Sequence, residues 1–324
     1  MPNTVPDLAG AAAERLVTRV DALIDRLERL FPPPVPPTDW KASSAFRWRR
    51  REGRGRLEPV TNMHRISLAD LQGVERQREA IERNTRQFVA GRPANNVLLT
   101  GARGTGKSSL VKACLNQFAA RGLRLIEVDK LDLVDLPDIV DIVAGRPERF
   151  VVFCDDLSFE ASEPGYKALK VVLDGSIAAP SDNVLVYATS NRRHLMPESM
   201  TDNLEYRTVG DEIHPGETAE EKISLSERFG LWVSFYPFDQ DEYLAIVAYW
   251  LEHFGCDQAR IERARDEALQ WALGRGSRSG RVAWHFARDY AGRHPRVLAS
   301  VGTMDVPDTR GAAKPATRKR IARG

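Results

Sequence analysis

The stretch GARGTGKS, residues 101–108, constrains the fold more than any other part of this chain. It follows the apolar run NVLLT and opens the helical pattern SSLVKACLNQFA, so a buried strand runs into a glycine-rich loop and the loop into a helix. The stretch satisfies G-x-x-x-x-G-K-[ST], in which glycines let backbone N–H groups curl around phosphates and the helix N-terminus adds a favourable dipole. Gly101, Ala102, Arg103, Gly104, Thr105, Gly106, Lys107, Ser108 and Ser109 would line such a site. Lys107 would reach the β and γ phosphates, and Ser108 would ligate Mg²⁺. A chance match in a chain of 324 residues is on the order of 1% at average residue usage, before the flanks are considered.

About 50 residues later comes VVFCDDLSFE, residues 151–160. A buried strand ending in Asp155 would place a magnesium-holding carboxylate near Ser108. A nucleotide hydrolase also needs a carboxylate to polarise water, and a glutamate is expected directly after that aspartate. Here the residue is Asp156, shorter by one C–C bond, about 1.5 Å. Glu160 is the alternative base, within reach if residues 156–160 turn back as a helical start. The preferred base is Asp156, with slow hydrolysis as the consequence. A further strand ends in ATSN, bringing Thr189, Ser190 and Asn191 to the same sheet edge. A polar group there can hydrogen-bond the γ phosphate or the water; the competing explanation is a turn asparagine. Arg228, in SLSERFG, and Arg281, in SGRVAWHF, can stabilise phosphoryl charge from the same or a neighbouring chain, although single arginines are commonly surface residues.

The runs NVLLTG, RLIEVD, FVVFCDD and NVLVYATSN, separated by helical stretches, predict an α/β parallel sheet with crossover helices. After Pro237 the pattern becomes helical throughout. The expected organisation is an amphipathic helix in residues 1–31, a Pro-rich and basic linker over 32–65, and an α/β nucleotide-binding domain over 66–237. A helical lid over 238–302 and a basic disordered tail over 303–324 complete it. The helix carries Leu16, Val20, Leu23, Leu27 and Leu30 at spacings of four and three, and packing on its own domain is preferred to a coiled coil. In FRWRRREGRGR, residues 46–56, a solvated linker is preferred to a nucleic-acid track in which Trp48 stacks on bases.

Composition narrows the classes further. Hydrophobic residues make up 42% of the chain, enough for a core. The formal charge is only +2, yet residues 41–56 carry seven basic side chains against one acid, and residues 303–324 six against two. Three scattered cysteines lack metal-ligand spacing and suit a reduced, cytoplasmic setting. No run is long and apolar enough to span a membrane.

Together these residues resemble the AAA+ ATPases over residues 66 to about 295. LQGV (71–74) is similar to the adenine-contacting segment, GARGTGKS to Walker A, VVFCDD to Walker B and Asn191 to sensor 1. Arg228 looks like the arginine finger and Arg281 like sensor 2, with Arg278 a weaker candidate. More narrowly, ANNVLLTGARGTGKSSLVKA, DDLSFE, ATSNRRHL and ERFGLWVSFYPFDQDEYL resemble a bacterial AAA+ group, the DUF815 family. The resemblance implies a P-loop NTPase (AAA+) three-layer parallel sheet in 5-1-4-3-2 order with a C-terminal helical lid. It also implies ATP and Mg²⁺ as cofactors and a homo-oligomeric ring or partial ring. Residues 128–150 lack the aromatic-apolar-Gly loop of threading unfoldases, which disfavours that activity.

The expected function is hydrolysis of ATP to ADP and phosphate to remodel a macromolecular partner, a protein not named by the sequence. One alternative is a nucleotide-dependent switch with little turnover. Another is a DNA-associated ATPase of helicase-loader type, using residues 46–56 and the basic tail.

Overall fold

Four apolar runs become neighbouring parallel strands because both faces of each are largely buried in one sheet. The structure is a computed structural model that describes residues 16–26, 36–51, 53–63, 65–159, 163–174, 181–192, 207–209, 212–214 and 226–293. In chain order these form helix α1 (16–26), strands β1 (Ala45–Arg51) and β2 (Arg54–Pro59), helix α2 (Glu75–Val89) and strand β3 (Val97–Gly101). Then come α3 (Lys107–Phe118), β4 (Leu123–Glu127), α4 (Leu136–Val143), β5 (Arg149–Cys154), α5 (Pro164–Asp174) and β6 (Val184–Ser190). A short antiparallel pair, β7 (Arg207–Val209) and β8 (Glu212–His214), precedes β9 (Leu231–Phe235). Helices α6 (Gln240–His253), α7 (Gln258–Gly274) and α8 (Gly280–Arg293) follow.

The main sheet runs β2-β1-β4-β5-β6-β3-β9. Its last five strands have the expected 5-1-4-3-2 order, with β3 as the strand that feeds the phosphate loop. Alternate residues face opposite layers. Leu98, Val152, Cys154, Val186 and Ala188 join Leu136, Ile139, Tyr166 and Leu169 in one core cluster under α4 and α5. On the other face Tyr187 accepts from Asn84 and pairs with the Thr85 hydroxyl, both on α2. Helix α2 buries Ile81, Asn84, Thr85 and Phe88, the i, i+3, i+4, i+7 spacing of a single helical face.

The hairpin β1–β2 corrects the expectation of a basic linker. Strand β1 runs parallel to β4, pairing Phe46 with Ile126, and β2 folds back antiparallel. Trp48, expected to be available for stacking on bases, is 3% exposed and donates from Nε1 to Asp135 at 3.0 Å. Gly55 makes room for it: a Cβ there would lie 1.8 Å from the Trp48 ring. Arg47, Arg49 and Arg50 pair with Glu127, Asp129 and Asp135, while Arg51 and Arg56 pair with Glu58. The arginine-rich stretch by itself does not show this, because the carboxylate partners of Arg47, Arg49 and Arg50 lie 80 or more residues away. Trp40 extends the same core, 4.9 Å from the Phe46 ring and 5.0 Å from that of Phe150.

Helix α1 corrects a second expectation. All of residues 16–26 are exposed, with Leu16 at 65% and Leu23 at 60%, so the described part of its apolar stripe is not packed on its own domain. Leu27, Leu30 and the C-terminal tail lie outside the described residues.

The chain divides into two compact units, Met1–Asp239 and Gln240–Gly324. Among the described residues the second holds three helices, α6, α7 and α8. Asp257 caps α7 by accepting from the Arg260 N–H at 2.9 Å, and Ile261, Ala264, Ala268 and Ala272 form its buried face. No helix among the described residues is long and apolar enough to cross a membrane.

Candidate functional site

Three glycines with positive φ bend the chain between β3 and α3: Gly101 at 124°, Gly104 at 76° and Gly106 at 101°. Gly101 is under the strongest constraint. A Cβ there would sit 1.8 Å from the Phe235 carbonyl oxygen at the end of β9, to which the Ala102 N–H also points at 3.3 Å. The Thr105 hydroxyl closes the loop by donating to the Ala102 carbonyl at 2.8 Å.

Lys107 lies inside this loop, 6% exposed. Its ammonium donates to the carbonyls of Gly101 at 2.8 Å and Ala102 at 2.7 Å, and to Asn191 Oδ1 at 3.1 Å. A buried ammonium requires such acceptors, since desolvation without them is costly. Arg103 at the loop tip is exposed, and Ser109 is half-buried on α3. Leu71, in the LQGV segment, packs behind the loop, its Cδ2 3.5 Å from where a Cβ on Gly106 would be.

The two aspartates follow β5 directly. Asp155 Oδ1 accepts from Ser108 Oγ and from Thr189 Oγ1, each at 2.6 Å. Asp156 accepts from the Asn191 side-chain amide, while its own N–H donates to Thr189 Oγ1 at 2.8 Å. The Leu157 N–H donates to the Thr189 carbonyl at 2.7 Å. Among the described residues Asp156 is the only non-glycine with positive φ, at 53°. That left-handed conformation costs an ordinary L-residue about 1–2 kcal/mol and is commonest for Asp and Asn.

The structure therefore brings Lys107, Ser108, Asp155, Asp156 and Asn191 into one hydrogen-bonded group. Glu160 lies outside the described residues. Arg228 donates from Nε to Asp174 Oδ1 at the end of α5. Arg281, at the start of α8, and Arg278, two residues before that helix, are exposed residues of the second unit. Thr189 was visible in ATSN, but its grip on both aspartates was not, because it depends on the turn geometry after β5.

Among the described residues no three His, Cys, Asp or Glu side chains cluster as a metal cage. The hydroxyl of Ser108 and the carboxylate of Asp155 are hard oxygen donors in contact with each other. That sparse set suits Mg²⁺, which keeps several waters and borrows phosphate oxygens.

Solved structures with some likeness include "Crystal structure of FIGL-1 AAA domain in complex with ADP", at 19% identity and TM-score 0.48, covering 74% of this chain and 77% of that one. A point mutant of RuvB from Thermotoga maritima has 16% identity and TM-score 0.47, covering 72% of this chain and 66% of that one. A DNA replication initiation factor has 16% identity and TM-score 0.42, with 73% and 65% covered. At such low identity and score none of these says what this chain binds. No curated protein matches the chain. A family model described as "Protein of unknown function (DUF815)" matches residues 41–294, a span that takes in the edge hairpin, the phosphate loop, both aspartates and the helical unit, and the chain belongs to that family.

Proposed function

We propose that the chain binds ATP with Mg²⁺ and slowly hydrolyses it to ADP and phosphate, using the cycle to remodel a macromolecular partner. The observation that carries this is the continuous line from Lys107 through Asn191 to Asp156. A phosphate-seeking amine is linked there, through one neutral amide, to the acid that would polarise water. Ser108 and Asp155 would hold Mg²⁺, which supplies charge neutralisation at the β and γ phosphates. In this scheme Lys107 binds the phosphates, Asn191 positions the water or the γ phosphate, and Asp156 takes the proton of the attacking water. Arg228 would act on a neighbouring subunit's nucleotide in a ring or partial ring, and Arg281 would contact nucleotide from the lid.

A nucleotide switch with little turnover is the second reading, and it too has a specific observation behind it. Asp156 is shorter than glutamate by about 1.5 Å and is engaged by Asn191. The DNA-loader alternative loses its main support, since the hairpin arginines face carboxylates of the same chain and Trp48 is buried.

Steady-state phosphate release by the purified chain, compared with Lys107→Ala, tests the proposal. Release above the variant's rate is expected. Equal rates with retained ATP binding in the wild type would establish the switch instead.

A further inference from the structure

We propose that Thr189 is a positioning residue for both aspartates, orienting the metal carboxylate and setting the backbone of the base with a single hydroxyl. This rests on the ATPase proposal and goes beyond it, because Thr189 itself touches neither phosphate nor water in that scheme.

A threonine hydroxyl has one hydrogen to give and lone pairs to accept with. A carboxylate is acceptor-only, so the hydrogen goes to Asp155 Oδ1 at 2.6 Å, and a lone pair is left to accept the Asp156 N–H at 2.8 Å. The Thr189 carbonyl takes the next N–H, from Leu157, at 2.7 Å. One residue of β6 thus holds three consecutive residues of the turn after β5. It is itself 1% exposed and locked in the sheet opposite Leu99 of β3, so the grip is rigid.

Two consequences follow. Oδ1 of Asp155 receives both the Ser108 and Thr189 hydroxyls, which leaves Oδ2 as the oxygen to offer a cation. Asp156 is meanwhile kept at φ 53°, a conformation that persists only where its surroundings over-determine it. The hydroxyl at position 189 is therefore needed for Mg²⁺ coordination as well as for placing the base. Valine has nearly the same shape as threonine and lacks both hydrogen bonds; serine keeps both.

The test measures equilibrium affinity for a fluorescent ATP analogue with Mg²⁺ and with EDTA, alongside phosphate release and thermal midpoint, in wild type, Thr189→Val and Thr189→Ser. Thr189→Val is expected to cut the Mg²⁺-dependent gain in affinity and the turnover by roughly 10- to 100-fold, the usual effect of losing a residue that orients a metal ligand. Its affinity in EDTA should stay at the wild-type value, and Thr189→Ser should restore Mg²⁺ dependence. Unchanged Mg²⁺ dependence in Thr189→Val overturns the assignment. So does an equal loss of affinity in EDTA, the mark of a merely structural role. If Thr189→Val does not fold, Thr189→Ala is read by the same criteria. Wild type that releases no phosphate beyond Lys107→Ala defeats hydrolysis alone, since Mg²⁺-dependent affinity still decides Thr189. Wild type without Mg²⁺-dependent binding defeats both.

Discussion

Asn191 donates from its side-chain amide to Oδ1 of Asp156, and its own oxygen accepts from Lys107 at 3.1 Å. The two ends of one amide thus face opposite charges, which sets its orientation. In the proposed scheme Lys107 would turn to a phosphate, and Asn191 would then lose a partner on one side while still touching Asp156 on the other. Asn191→Ala should therefore lower turnover on the order of 100-fold and leave ATP affinity within a few-fold. Phosphate release and equilibrium binding on the same preparation check this. Loss of ATP binding would place Asn191 in nucleotide binding instead.

Asp156→Asn should abolish turnover while ATP still binds, and Glu160→Gln should keep turnover. The reverse pattern moves the base to Glu160. Asp156→Glu carries a separate prediction from the backbone. Because Asp tolerates positive φ better than glutamate does, this variant should be less stable by up to about 1 kcal/mol, measurable by urea denaturation. A longer carboxylate at this position is therefore not a free improvement.

Gly101→Ala should destabilise the first unit by about 3 kcal/mol or more, since φ of 124° and a carbonyl at 1.8 Å leave no place for a methyl group. Nucleotide binding should fail with it. A stable, binding-competent variant would mean that β9 can move away from the loop.

Trp48→Ala in the edge hairpin should cost about 3–5 kcal/mol, the usual range for removing a large buried aromatic. Trp48→Phe should cost about 1–3 kcal/mol, as Asp135 loses a donor at a nearly buried site. Denaturant titration checks both. Asp174→Ala, by contrast, should change stability by less than about 1 kcal/mol, because its pair with Arg228 is partly exposed. Arg228→Ala should reduce turnover without weakening ATP binding, and the turnover of wild type should rise with protein concentration if neighbouring subunits supply the arginine.

All three cysteines are buried and free, and burial pushes the thiols of Cys114 and Cys154 up to about 12. At about pH 8 the folded protein should therefore react slowly with a thiol reagent, and denaturant should release three reactive groups. The thiolate is the nucleophile, so raising the pH through the usual thiol range should not speed the reaction until the fold opens.

The strands were legible because full burial on both faces leaves unbroken apolar runs, as in RFVVFC and VLVYATS. The phosphate loop was legible because its backbone needs dictate residue types at fixed spacing. In residues 45–59 the same logic misled: arginines and glycines have the composition of a linker. Only the fold brings Glu127, Asp129 and Asp135 beside them and slides Gly55 under Trp48.

The sequence by itself determined which residues stand at the sheet edge, since strand ends and loop spacing are local properties of the chain. It named Lys107, Ser108, Asp155 and Asn191 on that basis. Tertiary structure alone decided how they touch. Asn191 reaches Lys107 across 84 residues and Thr189 reaches Asp155 across 34, because β3, β5 and β6 lie side by side. The left-handed turn at Asp156, held by a hydroxyl from the neighbouring strand, has no signature in VVFCDD, because what stabilises it lies outside that stretch.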